Sequence, residues 1–135
     1  MNHPEVTAVF VYGTLKRGQC REKCWPHAPQ RVDAAFTHGF LYDLGPYPAM
    51  TEGADRVEGE VWRFAPEHMP DTLAVLDQVE QAATGGEVLY QRRIAACVTT
   101  SGESLPAHMY FFAHPDRLNK TQQIQPTAAG CRWPS

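Results

Sequence analysis

The chain has no excess of basic charge: 12 Lys and Arg stand against 15 Asp and Glu, a formal net charge of −3. A nucleic-acid surface needs a basic patch, and this balance supplies none. No apolar run is long enough to cross a bilayer. The opening Met1-Asn2-His3-Pro4-Glu5 lacks the basic and then apolar layout of a secretory signal. No internal repeat and no low-complexity linker interrupts the sequence. Cysteine is scarce, at positions 20, 24, 97 and 131. Cys20, Cys24 and His27 form C-x3-C-x2-H, but a structural zinc site brings two spaced ligand pairs, and no second pair follows. Reduced thiols in a cytoplasmic protein without bound metal are therefore the expectation, with a small zinc protein built on those three residues as the minor alternative. What remains is a 135-residue chain, 43% hydrophobic and 20% charged, which suits a single globular domain over 1–135.

Strand-like runs separated by Gly and Pro make up most of the chain. They cover residues 7–12, 36–44, 56–64, 89–100 and 105–112. The first is near-continuously apolar, as expected of a central strand. The second closes on Gly45-Pro46-Tyr47-Pro48. The third alternates Val57, Gly59 and Val61 with Glu58, Glu60 and Trp62, so one face is more polar. The last two, joined by Ser101-Gly102-Glu103, read as a hairpin. One helix begins at Pro70-Asp71, with the acid near its positive N-terminal end, and carries Leu73, Val75, Leu76 and Val79 as an apolar stripe. A shorter helix is expected around residues 20–25. Together these elements predict an α+β fold whose mixed or antiparallel sheet can curl into a barrel. Residues 114–135 are polar and aperiodic, either an arm packed over the domain or a tail.

Two segments carry candidate chemistry. In Val9-Phe10-Val11-Tyr12-Gly13-Thr14-Leu15 a buried strand stops at a glycine turn. Successive N–H groups pointing one way form a nest for a carboxylate or phosphate. Gly13 is expected there to adopt φ > 0 and to let backbone approach a ligand. On the helix, Leu73, Leu76 and Glu80 are spaced i, i+3, i+7, which puts Glu80 on the apolar side, while Asp77, Gln78 and Gln81 are expected on the other. An inward carboxylate has its pKa raised by burial, which suits general acid–base work near neutral pH. The competing reading has Glu80 reach solvent from a frayed helix end, or pair with Arg92 or Arg93. Tyr90 and Arg92 share one strand face and either line a polar pocket or form a strand rim. Glu58 and Glu60 also share a face, where solvated charge is the commoner meaning.

In order along the chain, these segments resemble the γ-glutamylcyclotransferase-like superfamily, also called AIG2-like. Residues 10–18 resemble its opening YGTL loop and residues 39–49 its second strand and Tyr-Pro turn. Val57-Glu58-Gly59-Glu60-Val61-Trp62 resembles its V-x-G-E strand. Leu76-Asp77-Gln78-Val79-Glu80 resembles its L-D-x-x-E motif, and Tyr90-Gln91-Arg92 its Y-x-R. Ile124 and Gly130-Cys131-Arg132-Trp133 resemble its closing I…G-D-W. The chain departs from the pattern at Gln81, where the family has Gly after the catalytic Glu, and at Cys131, which replaces an acid. Residues 81–88 read as a longer insertion.

The resemblance implies a small mixed β-barrel with flanking helices and a pocket at one end. It implies an enzyme without cofactor that cyclises a γ-glutamyl amine or γ-glutamyl amino acid to 5-oxoproline and releases the amine. Glu80 would be the general acid and base, with Tyr12, Gly13, Thr14, Leu15, Tyr47, Tyr90 and Arg92 around the small-molecule substrate. A non-catalytic module binding small carboxylates on the same fold is the alternative.

Overall fold

A computed structural model of the chain describes residues 6–19, 21–82 and 89–134. Its core is a closed five-stranded barrel in the order β1-β3-β2-β4-β5. The strands are β1 (Ala8–Val11), β2 (Arg31–Asp43), β3 (Pro48–Arg63), β4 (Tyr90–Thr99) and β5 (Ser104–Phe112). Helix α1 (Met69–Ala82) packs outside and is the one α-helix among the described residues. All neighbours are antiparallel except β1 and β5, which run parallel and close the barrel. No helix among the described residues is long and apolar enough to cross a membrane.

The apolar continuity of β1 follows from its position. Ala8 and Phe10 face the barrel interior with Val57, Val61, Ala107 and Met109. Val9 and Val11 face outward into a second cluster with Trp62, Phe64, Met69 and Leu76. A strand buried on both faces has no polar side to show. Strands β2 and β3 form a longer hairpin than the sequence suggests, 13 and 16 residues. Strand β3 starts at Pro48 rather than at Arg56, and the register slips between Gly39 and Phe40. Residues 52–54 are the surplus of that bulge. Bulges bend a strand sharply, and a barrel corner needs such a bend.

Helix α1 is entered through a 3₁₀ turn, Pro66–His68. Its deepest residues are Met69, Thr72 and Leu76, all at most 2% exposed. The short helix expected near residues 20–25 is a single 3₁₀ turn, Glu22–Cys24. Cys20 lies outside the described residues, as do residues 83–88 of the segment read as an insertion. His27 meets Asp71 at 3.2 Å and stacks on His68. No group of three or more metal-ligating side chains forms among the described residues.

The polar stretch after Phe112 lies across the barrel. Ile124 N–H donates to the Leu41 carbonyl at 2.8 Å, Cys131 N–H to Arg56 at 2.7 Å, and Glu58 N–H to Cys131 at 2.8 Å. Cys131 and Trp133 are buried in the interior cluster.

Candidate active site

Where β1 ends, residues 12–15 remain buried and share a cavity with Glu80 of α1. This small cavity, open at its mouth, is walled by Tyr12, Gly13, Thr14 and Leu15, with Tyr47 and Pro48 from the β2–β3 turn. Glu80 from α1, Tyr90 from β4, Tyr110 from β5 and Arg21 complete it. Of the residues singled out from sequence, Tyr12, Gly13, Thr14, Leu15, Tyr47, Glu80 and Tyr90 thus meet around one space.

Arg92 is not among the lining residues. Its guanidinium reaches away to Asp77, with Nε 3.0 Å from Oδ1 and Nη2 3.2 Å from Oδ2. It is the fork geometry expected of a fixed Arg–carboxylate pair. Arg93 is engaged by Glu52 at 2.6 Å. Neither arginine pairs with Glu80. Glu58 and Glu60 have neighbours of their own: Arg56 stands 3.4 Å from Glu58, and Glu60 accepts from Arg17 N–H at 2.9 Å.

Asp77 corrects one expectation from helical spacing. It does not project to the polar side but accepts a 2.6 Å hydrogen bond from the Tyr110 hydroxyl and faces the sheet. The signal was present: Asp77 is i+4 from Leu73, so the two share a face. Two carboxylates on the last turns of α1 therefore turn toward the barrel, and only Glu80 enters the cavity.

Gly13 corrects another. Positive φ occurs at Gly18, Gly45, Gly102 and Gly130, not at Gly13. What requires glycine is space, because a Cβ at Gly13 would sit 2.6 Å from Pro48 Cγ. The close approach joins loop to turn within the protein. Among the described residues, none accepts a hydrogen bond from the N–H of Gly13, Thr14 or Leu15, whereas the carbonyls of Gly13 and Thr14 accept from Lys16 and Arg21. Buried N–H groups without protein partners are costly unless water or a ligand meets them.

The electrostatics single out Glu80. Its pKa is pushed from 4.5 to about 7, chiefly by burial, while the Arg21 charge lowers it and the Asp77 charge raises it. The negative end of α1 acts in the same direction as burial. The three tyrosines that ring Glu80 stay protonated. Burial raises the pKa of Tyr12, Tyr90 and Tyr110, and the Glu80 charge adds to it in each. Their hydroxyl protons are committed elsewhere: Tyr12 donates to the Tyr110 carbonyl, Tyr90 to the Pro48 carbonyl at 2.8 Å, and Tyr110 to Asp77. Arg21 is the one cation among the described lining residues. The cavity thus holds one carboxyl poised to exchange a proton near pH 7, one positive charge from Arg21, and a row of N–H groups from which no described residue accepts, within an aromatic wall. That set can accept a proton from an amine while holding an anionic oxygen.

Arg21 and Tyr110 were not found from sequence. Arg21 sits in a polar loop without period, and Tyr110 hides in the apolar run of β5. Only the barrel brings both to Glu80.

Comparison with known proteins places the chain in context. The family described as gamma-glutamyl cyclotransferase, AIG2-like, matches residues 9–134. The gamma-glutamylcyclotransferase family protein YtfP of Escherichia coli K12 is 34% identical over 107 residues, covering 79% of this chain and 83% of that protein. A Vibrio cholerae protein with a provisional gamma-glutamylcyclotransferase name is 41% identical over 73 residues, which span 53% of this chain and only 60% of that relative. Among solved structures, a mouse AIG2-like protein superposes with a TM-score of 0.59 at 23% identity, covering 88% of this chain and 83% of the mouse protein. The solution structure of E. coli YtfP gives 0.52 at 30% identity, covering 87% and 90%.

Proposed function

Because the chain belongs to the gamma-glutamyl cyclotransferase, AIG2-like family, we propose that it cyclises a γ-glutamyl amine or γ-glutamyl amino acid to 5-oxoproline and releases the amine, with no cofactor. The observation that carries this reading is Glu80: a carboxyl with a pKa pushed up to about 7 by burial, lining a cavity beside the N–H groups of residues 13–15, from which no described residue accepts.

In the proposed reaction Glu80 takes a proton from the substrate α-amine. The freed nitrogen attacks the γ-carbonyl carbon, and a C–N bond closes a five-membered ring. The carbonyl oxygen becomes anionic and is met by the N–H groups of residues 13–15. Arg21 pairs with the substrate α-carboxylate. Collapse of the tetrahedral centre breaks the bond to the leaving nitrogen, and Glu80 returns the proton to it. One amide becomes a lactam and a free amine, and no water or redox partner enters. The attack is intramolecular, so holding the chain folded supplies much of the rate advantage. Tyr47 serves as a wall, and so do Tyr90 and Tyr110, whose protons burial holds in place.

The test is 5-oxoproline release by the purified protein across a panel of γ-glutamyl amino acids and γ-glutamyl amines, beside Glu80→Gln. Release by the wild type, lowered roughly 10²–10⁴-fold in the variant, supports the assignment. No release with any compound, together with binding of small carboxylates, would replace it with the binding-module reading.

A further inference from the structure

Two separate pieces of chain build the anion-holding side of the cavity: the loop of residues 12–15 after β1, and the β2–β3 turn bearing Tyr47 and Pro48. They touch where Gly13 meets Pro48. A third segment, distant in sequence, grips both. Trp133, 6% exposed, donates from Nε1 to Asp43 Oδ1 at 3.1 Å, at the start of the turn. The same Asp43 oxygen accepts from Gly45 N–H at 2.9 Å and so fixes the turn itself. On the loop side, the Trp133 carbonyl accepts a 2.6 Å hydrogen bond from Lys16 Nζ, directly after the cavity loop. The Trp133 ring also backs Gly13, with Cε3 4.0 Å from where a Cβ would stand.

Lys16 is an informative partner. Burial lowers its pKa, while the Glu60 charge raises it, and a lysine drawn partly out of water to reach a neutral carbonyl gives up hydration to do so. The segment bearing Trp133 is itself pinned through Cys131 to Arg56 and Glu58 of β3, so it is a fixed point.

We propose that Trp133 is a positioning residue: by holding Asp43 with its indole and Lys16 with its carbonyl, it sets the spacing between the cavity loop and the Tyr47–Pro48 turn, and with it substrate affinity. It touches no substrate. The inference rests on the cavity being the reaction site.

The variants are Trp133→Phe, which keeps a ring behind Gly13 but loses the bond to Asp43, and Lys16→Met, which removes the grip on the loop and leaves Trp133 intact. Steady-state 5-oxoproline release and exchange of the hydrogen-bonded amides of Lys16 and Arg21, which close the cavity loop, and of Leu44 and Gly45 in the turn are measured on folded protein. In each variant KM is expected to rise roughly tenfold, the scale of one lost hydrogen bond to a charged group, with kcat within twofold. Amide exchange should quicken in both segments, including the one each variant does not touch. A fall in melting temperature with KM and exchange unchanged would overturn the proposal. So would faster exchange confined to the mutated side. If the wild type releases no 5-oxoproline, the functional reading fails by itself, and the exchange result alone decides whether Trp133 couples the two segments.

Discussion

Replacing Glu80 by Gln removes an ionisation that the fold opposes, and the structure sets both the size and the pH window of the effect. The Glu80 carboxyl titrates at about 7 in the folded protein against an ordinary 4.5. At about 1.4 kcal/mol per pH unit, a gap of about 2.5 units corresponds to about 3 kcal/mol. The sign follows from proton counting. Between pH 4.5 and 7 the folded state holds a proton that the unfolded state has lost, so wild-type stability falls as pH rises through that window. Below 4.5 both states hold the proton, and above about 7 neither does, so the curve is flat outside it. Gln stands permanently in place of the protonated form. Glu80→Gln should match the wild type near pH 4 and exceed it by about 3 kcal/mol at pH 8. Urea unfolding of both proteins from pH 4 to 8 gives the difference curve directly, while 5-oxoproline release gives activity on the same samples. Wild-type kcat/KM should rise with pH up to about 7, where the base becomes ionised, and the variant should lose most of it. A difference in stability that does not vary with pH would refute the reasoning. A variant less stable than wild type at pH 8 would identify Glu80 as a structural partner instead.

Further outcomes follow from the neighbours. Arg21 lowers the Glu80 pKa and Asp77 raises it, so the acid limb of kcat/KM should move to higher pH in Arg21→Gln and to lower pH in Asp77→Asn; a common direction would show that packing rather than charge governs the limb. Gly13→Ala would place Cβ against Pro48, and calorimetry should record roughly 1–3 kcal/mol of lost stability from overpacking together with weakened ligand binding. Arg92→Lys keeps the charge but loses the fork to Asp77, so activity should fall partly, by less than tenfold, with folding intact; complete loss in a folded protein would place Arg92 in direct contact with substrate.

The parts of this fold written in short-range pattern were legible. Continuous apolarity at Val9-Phe10-Val11 announced a strand buried twice over, and the i, i+3, i+7 spacing of Leu73, Leu76 and Glu80 put the carboxyl on the correct side of α1. The resemblance of ordered motifs then anticipated the barrel. What the sequence concealed depends on contacts between distant segments. The start of β3 at Pro48 was hidden because Glu52, Gly53 and Ala54 break the alternation, and they do so as a bulge. Gly13 was read for its backbone freedom, whereas its requirement is the proximity of Pro48, 35 positions away in a different turn. Arg21 carries no local sign of its role, since a charge in a polar loop gains meaning only from what the fold sets opposite it. Asp77 was misplaced although its spacing from Leu73 sufficed, because polar character was allowed to outweigh geometry.

The closure of the barrel through β1 has a bearing on how the protein comes into being. Strand β1 leaves the ribosome before its partners β3 and β5, and Tyr12 bonds a carbonyl 98 positions downstream. Lys16 waits still longer, for a residue 117 positions away. A nascent chain therefore carries its cavity loop exposed and unshaped until Trp133 has followed it. Contacts of such long range are slow to form and are the last to reward the entropy spent on them. The hairpin of β2 and β3 and that of β4 and β5 can each assemble locally, but the cavity cannot exist in part. The cavity forms in one step, when β1 and the loop after it meet β5 and Trp133.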